Sequence, residues 1–341
     1  MVSFGFMFRP GHFPIGHMLA CIKVAEDVGF DHVWFGDSHL IWHEVGPYLT
    51  AAAMSTTRMR VGPLVSNPVT RHPTVVASML ATLSQLFEGR AALGIGRGDS
   101  AVRTLGLPPM KLAEFRDALR IMRQLCRGET AEVQGTTVQF SWLTRQVPVF
   151  LAAYGPRVLA LAGAEADGLI LQLASPSVIE WAVGHARRGA QAAGRTRDAF
   201  EIVAGALTYI SADRERALSR VRGFPATVSN HVKDLLKHYR PEELPAELVE
   251  GMTGVAGYDY HQHGVPDAPH TRAVTDDMAE RLTLIGTAGQ VRDKIARLEA
   301  AGVTHVCLYL GIVEPEFHFS TLEAYGREII PHFHAPNPGG R

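Results

Sequence analysis

Short apolar runs alternate with longer amphipathic stretches along most of the sequence, and this alternation restricts the chain to a parallel sheet with helices packed outside it. In the first half, Val2 to Phe8 precedes a helix from about Pro14 to Val28, and His32 to Phe35 precedes one near Pro47 to Ser55. Met59 to Val65 precedes Pro73 to Phe87, and Ala91 to Ile95 precedes Lys111 to Cys126. The second half adds Val147 to Ala152 before Pro156 to Ala164, then Gly168 to Leu173 before Pro176 to Ala193. Glu201 to Ile210 and Val303 to Leu310 bring the candidate strands to eight. Eight strand and helix units favour a closed α/β barrel, a (β/α)8 TIM barrel with insertions, over an open doubly wound sheet.

The chain has 341 residues, 46% of them hydrophobic, enough for one large core spanning residues 1–341. Lys plus Arg number 33 against 34 Asp plus Glu, so no basic footprint points to nucleic acid. Small molecules and other subunits are the expected partners. Cys21, Cys126 and Cys307 are widely spaced within apolar patterns, which fits reduced, buried thiols rather than a disulfide or metal framework. A cytoplasmic location follows. No apolar run approaches membrane-spanning length, and the segment from Met1 to Phe6 lacks an export signal.

Two stretches break the alternation. Residues 129–146, with Gly135 between two extended runs, read as a hairpin inserted between the fourth helix and fifth strand, where it is expected to shape a pocket or an interface. Residues 224–279, with Pro241, Pro245, Pro266 and Pro269 among His261, His263 and His270, read as a substrate lid. His261-Gln262-His263 alone does not assemble a zinc ligand set, so no metal site is expected.

In a parallel barrel the functional groups lie at the carboxyl ends of the strands. The third strand runs into Asn67-Pro68-Val69-Thr70-Arg71-His72-Pro73, where two prolines exclude helix and the polar side chains crowd one turn. Such a turn is costly unless something polar uses it. After the second strand, Gly36-Asp37-Ser38-His39 offers a carboxylate, a hydroxyl and an imidazole suited to proton transfer. The competing reading makes Asp37 a turn cap and leaves His39 in solvent. After the fourth strand, Gly94-Ile95-Gly96-Arg97-Gly98-Asp99 permits close backbone approach to a ligand and adds a carboxylate. It is no dinucleotide fingerprint, because no helix opens directly from it and Pro108 and Pro109 follow. Ala153-Tyr154-Gly155-Pro156 after the fifth strand would aim free N–H groups at a phosphate or a ring edge, though any tight strand-to-helix junction is built the same way. Arg9, His12 and Gln172 stand on the same rim.

With these loops in hand, the chain resembles the luciferase-like superfamily of flavin and deazaflavin enzymes, and within it the F420-dependent oxidoreductase branch that includes methylenetetrahydromethanopterin reductase. The residues that carry the resemblance are Val65 to Pro73, Leu93 to Asp99, Ala152 to Arg157, Ala166-Asp167-Gly168-Leu169-Ile170 and Gly286-Thr287, in that order. It implies a barrel with the cofactor ring in its mouth, resting on a bulge where a non-proline cis peptide would fall at Leu64-Val65. By the same resemblance Val65 and Ser66 press on the ring, Leu64, Asn67, Gly96 and Gly98 border it, and Ala153, Tyr154 and Gly155, followed by Pro156, hold the phosphate-bearing side chain. Gln172 also reaches the cofactor, and Asp37 and Asp99 line the active site. Many relatives carry His directly after the Asp of the second strand. Here Ser38 occupies that place, so the acid role is carried to His39.

The implied chemistry is hydride transfer between reduced coenzyme F420 and a C=N, C=C or C=O group of a small molecule, in a homodimer. The alternative within the same fold is an FMN-dependent monooxygenase. The substrate is set by the hairpin near Gly135, the 224–279 segment, and Trp42 with Tyr48.

Overall fold

A computed structural model describes residues 1–196, 200–250, 258–262, 268–310 and 315–334. His263 and Pro266 lie outside the described residues. Eight parallel strands form the central sheet: β1 (Ser3–Phe8), β2 (His32–Phe35), β3 (Arg60–Pro63), β4 (Leu93–Ile95), β5 (Val149–Ala152), β6 (Gly168–Leu171), β7 (Glu201–Ile210) and β8 (His305–Tyr309). Their spatial order is β3-β2-β1-β8-β7-β6-β5-β4. Registers such as Phe6↔Val33, Phe6↔Leu308 and Ile170↔Val203 tie each strand to its neighbours. Around it run α1 (Ile15–Asp27), α2 (Val45–Ser55), α3 (Pro73–Leu86), α4 (Leu112–Cys126), α5 (Pro156–Glu165), α6 (Pro176–Ala192), α7 (Ala288–Ala300) and α8 (Pro315–Glu328).

The helix boundaries follow from local chemistry. Proline opens α3, α5 and α6, where its missing N–H costs nothing. Thr287 and Gln290 form a capping box at the start of α7. Helix α4 buries Phe115, Ala118, Leu119, Met122 and Leu125, a helical stripe against the sheet.

The barrel closes between β3 and β4. Val61 bridges Ala91 and, beyond a bend, Ser66 bridges Ile95. Ser66 N donates to Gly94 O at 2.9 Å, and Gly96 N returns a bond to Ser66 O at 2.9 Å. The apolar run predicted to extend to Val65 stops as a strand at Pro63, because the chain turns at the Leu64–Val65 peptide, which is cis. Glycine is required at position 94, since a Cβ there would stand 2.3 Å from Pro63 O across the seam.

Trp34, His32 and His305 fill the barrel at its amino-terminal end. Trp34 Nε1 donates to His305 Nε2 at 3.2 Å, and the Trp34 ring meets Phe150 with centroids 6.0 Å apart. Burial pushes the His305 imidazole down to about 3, so it stays neutral inside the barrel. A packed lower end leaves only the carboxyl ends of the strands open to a ligand.

Both insertions form structure, at opposite faces. Ala131–Val133 and Thr136–Val138 pair antiparallel as the expected hairpin. It sits on the connection from α4 into β5, at the amino-terminal face, and none of its residues lines the cavity described below. The expectation that it helps set the substrate is therefore corrected: a helix-to-strand connection emerges at the wrong end of a barrel. The second insertion lies between β7 and β8, at the correct end; the helix Arg214–Val221 precedes it and the helix Phe224–Leu236 opens it. A three-residue strand, Leu284–Gly286, pairs with the end of β7 and was too short for its periodicity to be read. No helix among the described residues is long and apolar enough to cross a membrane.

Helices α5 and α6 cross at glycine. A Cβ on Gly189 would stand 1.9 Å from Ala160 O, whereas one on Gly184, in the same helix, would meet nothing closer than 3.7 Å. Alanine gains up to about 1 kcal/mol of helix propensity over glycine, but forcing backbones apart costs about 1–3 kcal/mol or more. Gly189→Ala is expected to lower the urea midpoint and Gly184→Ala to raise it. Equal shifts for the two would show that the crossing is not set by backbone contact.

Candidate active site

The carboxyl ends of the strands surround a cavity of about 250 Å³. Its wall includes Asp37, Ser38 and Trp42 after β2, Leu64, Val65, Ser66 and Asn67 after β3, and Gly96, Arg97, Gly98 and Asp99 after β4. Ala153, Tyr154 and Gly155 after β5, Gln172 after β6, and Met7 and Tyr309 from β1 and β8 complete the ring. Loops separated by more than a hundred residues thus meet in one place, as parallel closure requires.

Asp37 is the most enclosed charge in this wall, its side chain 1% exposed. Ser66 Oγ donates to Asp37 Oδ2 at 2.7 Å, and the Arg71 guanidinium pairs with the same oxygen while its other arm reaches Glu44. Burial acts to lower the Arg71 pKa, but the hydrogen bonds and charges of Asp37 and Glu44 outweigh it, and the net shift is upward. Asp37 thereby ties the bend after β3 to the end of β2.

The polar side chains of the proline-flanked turn partly use one another. Asn67 Oδ1 accepts from the backbone N–H groups of Val69 and Thr70 at 3.0 and 2.9 Å, and His72 caps α3 through Thr74. The turn is costly in isolation and satisfied here largely from within.

A second charged cluster borders the cavity after β4. Arg103 Nε donates to Asp99 Oδ1 at 3.2 Å, and the other end of the guanidinium pairs with Asp234 of the Phe224–Leu236 helix. From that helix His231 also enters the wall, stacked on Tyr154 with centroids 4.7 Å apart, its Nε2 4.0 Å from Asp99 Oδ2. Burial pushes the Tyr154 hydroxyl up, so the phenol stays protonated, and it donates over 3.4 Å to Gln172 O. Ser38 Oγ lies 2.6 Å from Ser100 Oγ, a hydroxyl pair on the cavity wall.

The structure departs from the sequence reading at several named positions. His39 is exposed and absent from the cavity wall, because the chain turns outward after Ser38 and only Trp42 returns. The imidazole that does face the cavity is His231, contributed by the insertion. Pro156 starts α5 but does not line the cavity; the N-cap residue, Gly155, and Val158 one turn later do. Arg9 and His12, placed on the same rim from sequence, and Tyr48 do not line the cavity either, whereas Asp37, Asp99, Gln172 and the other residues named for the cofactor do. His231 and Asp234 carried no local signal, since only the packing of the insertion over the barrel mouth brings them there.

Residues 2–305 match the family model described as luciferase-like monooxygenase. The chain is 31% identical to the 5,10-methylenetetrahydromethanopterin reductase of Methanopyrus kandleri, over 97% of this chain and 99% of the reductase. It is 27% identical to the F420-dependent glucose-6-phosphate dehydrogenase of Microbacterium testaceum, over 97% of each. The crystal structure of the coenzyme F420 dependent tetrahydromethanopterin reductase from Methanopyrus kandleri superposes with a TM-score of 0.77 at 28% identity, covering 98% of this chain and 99% of that one. The chain belongs to the luciferase-like monooxygenase family, on the branch of the F420-dependent oxidoreductases.

Proposed function

We propose that this protein is an F420-dependent oxidoreductase that transfers a hydride between reduced deazaflavin and a C=N, C=C or C=O group of a small organic molecule. The observation that carries this reading is 31% identity to a methylenetetrahydromethanopterin reductase over 97% of the chain, together with strand-end loops that meet on one cavity.

The donor set fits such a cofactor. Leu64, Val65, Ala152 and Ile170 give the cavity an apolar wall for a flat ring, and Gly96 and Gly98 place no side chain between ring and backbone. Helix α5 starts beside the cavity at Gly155, and its Arg157 N–H donates to the Tyr239 hydroxyl at 3.3 Å, a bond that an anionic tail seated on this helix start would replace. About 250 Å³ is just below the range typical of a whole small-molecule ligand, which suits the reacting ring rather than an entire cofactor. Reduced deazaflavin supplies a hydride from a ring carbon.

The chain's own residues would then do three things. Leu64 to Asn67 hold the ring plane, with the bend anchored through Ser66 and Asp37. The Phe224–Leu236 helix covers the mouth and excludes water. His231 supplies or receives the accompanying proton, its Nε2 4.0 Å from Asp99 Oδ2. The proposed assembly is a homodimer, which would cover Met54 on α2 and Val75 and Leu86 on α3, now 72%, 55% and 66% exposed.

Separate fluorescence titrations of the purified protein with F420 and FMN test the proposal. Saturable F420 binding, with FMN bound much more weakly or not at all, is expected. Preferential FMN binding would overturn it in favour of an oxygen-using monooxygenase.

A further inference from the structure

Three metal-ligating side chains meet outside the cavity, between the first and last barrel helices. His17 and Cys21 occupy successive turns of α1, and His318 comes from α8. His17 Nε2 lies 3.1 Å from His318 Nδ1 and 3.5 Å from Cys21 Sγ, and all three ligand atoms fall within 4.8 Å of one another. None of the three lines the cavity already described.

The two separations from His17 Nε2 are close to the edges of a zinc coordination tetrahedron. Bonds of about 2.0–2.1 Å to nitrogen and about 2.3 Å to sulfur place two nitrogens about 3.3 Å apart and a nitrogen and a sulfur about 3.5 Å apart. A cation placed among them would take a lone pair from each of the three groups. Cys21 and His318 are fully buried. Phe13 packs on His318 with centroids 4.6 Å apart and Phe319 on His17 at 5.2 Å, an apolar shell of the kind that fixes imidazole ligands and limits solvent access.

We propose that His17, Cys21 and His318 bind one zinc ion, with water in the fourth position, and that the ion clasps α1 to α8. Thiolate with two imidazoles selects zinc over the hard cations magnesium and calcium. His17 and His318 are 301 residues apart in sequence, so ligand spacing gave no hint of the site. The clasp joins the first and last units of the barrel directly and is independent of the cofactor.

The test is a zinc titration of the full-length, chelator-treated protein by calorimetry, with cobalt(II) absorbance as a second readout. One equivalent per chain is expected, with a zinc-dependent rise of several degrees in Tm and a thiolate-to-cobalt charge-transfer band. Cys21→Ser is expected to abolish the band, and His318→Gln to weaken zinc binding about tenfold or more. His17→Gln, at a partly exposed position, gives the same test should the buried variants fail to fold. The proposal is overturned if the wild-type protein takes up no zinc, or if the folded variants bind it with unchanged stoichiometry and affinity.

Discussion

Replacing Arg71 with methionine is expected to destabilise the protein by about 3 kcal/mol or more, because it leaves the Asp37 carboxylate buried without its counter-charge. The Asp37 side chain is 1% exposed and that of Arg71 15%, so water cannot take the place of the guanidinium. Glu44, the other partner, is 52% exposed, and that half of the bridge contributes at most about 1 kcal/mol. The double variant Asp37→Asn, Arg71→Met removes both charges and is expected to recover much of the loss, a non-additivity that urea midpoints of the four proteins would measure. The bend after β3 hangs on Asp37 through Ser66, so Arg71→Met is also expected to weaken F420 binding. An Arg71→Met protein within about 0.5 kcal/mol of wild type, the usual range for surface substitutions, would show that the pair is not needed for the fold.

His231→Ala is expected to reduce kcat/KM for the substrate about 100-fold or more, the usual effect of removing a general acid or base. His39→Ala, by contrast, is expected to stay within a factor of about two, as for a side chain outside the site. The geometry supplies the contrast: His231 borders the cavity, stacked on Tyr154 and beside Asp99, whereas His39 is exposed outside it. The pH profile of kcat/KM should lose one limb in His231→Ala and keep it in His39→Ala. F420 titration of both variants separates lost proton transfer from lost cofactor binding. A large effect from His39→Ala with none from His231→Ala would return the acid role to the second-strand loop.

The barrel itself was legible because each of its eight strands is buried and reads as a continuous apolar run, and each run is followed by a helical stripe such as that of α4. Strand-end motifs were legible for the same reason: parallel closure leaves them a single rim to occupy. The hairpin was recognisable from Gly135 but misassigned in function, since its own residues do not state which face of the barrel it leaves from. His39 was misplaced because one residue of turn geometry decides whether a side chain enters a cavity or solvent, and neighbouring polar residues carry no such direction.

The sequence alone thus determined a closed parallel barrel, the rim on which its site lies, and the family to which the rim motifs belong. Burial pattern and turn chemistry are local properties, written in consecutive residues. Tertiary structure alone decided that Arg71 would be spent on Asp37, that His231 rather than His39 would face the cavity, and that His17 and Cys21 would meet His318. Each of these rests on side chains far apart in the chain, whose proximity is set by packing of whole elements and leaves no periodicity to read.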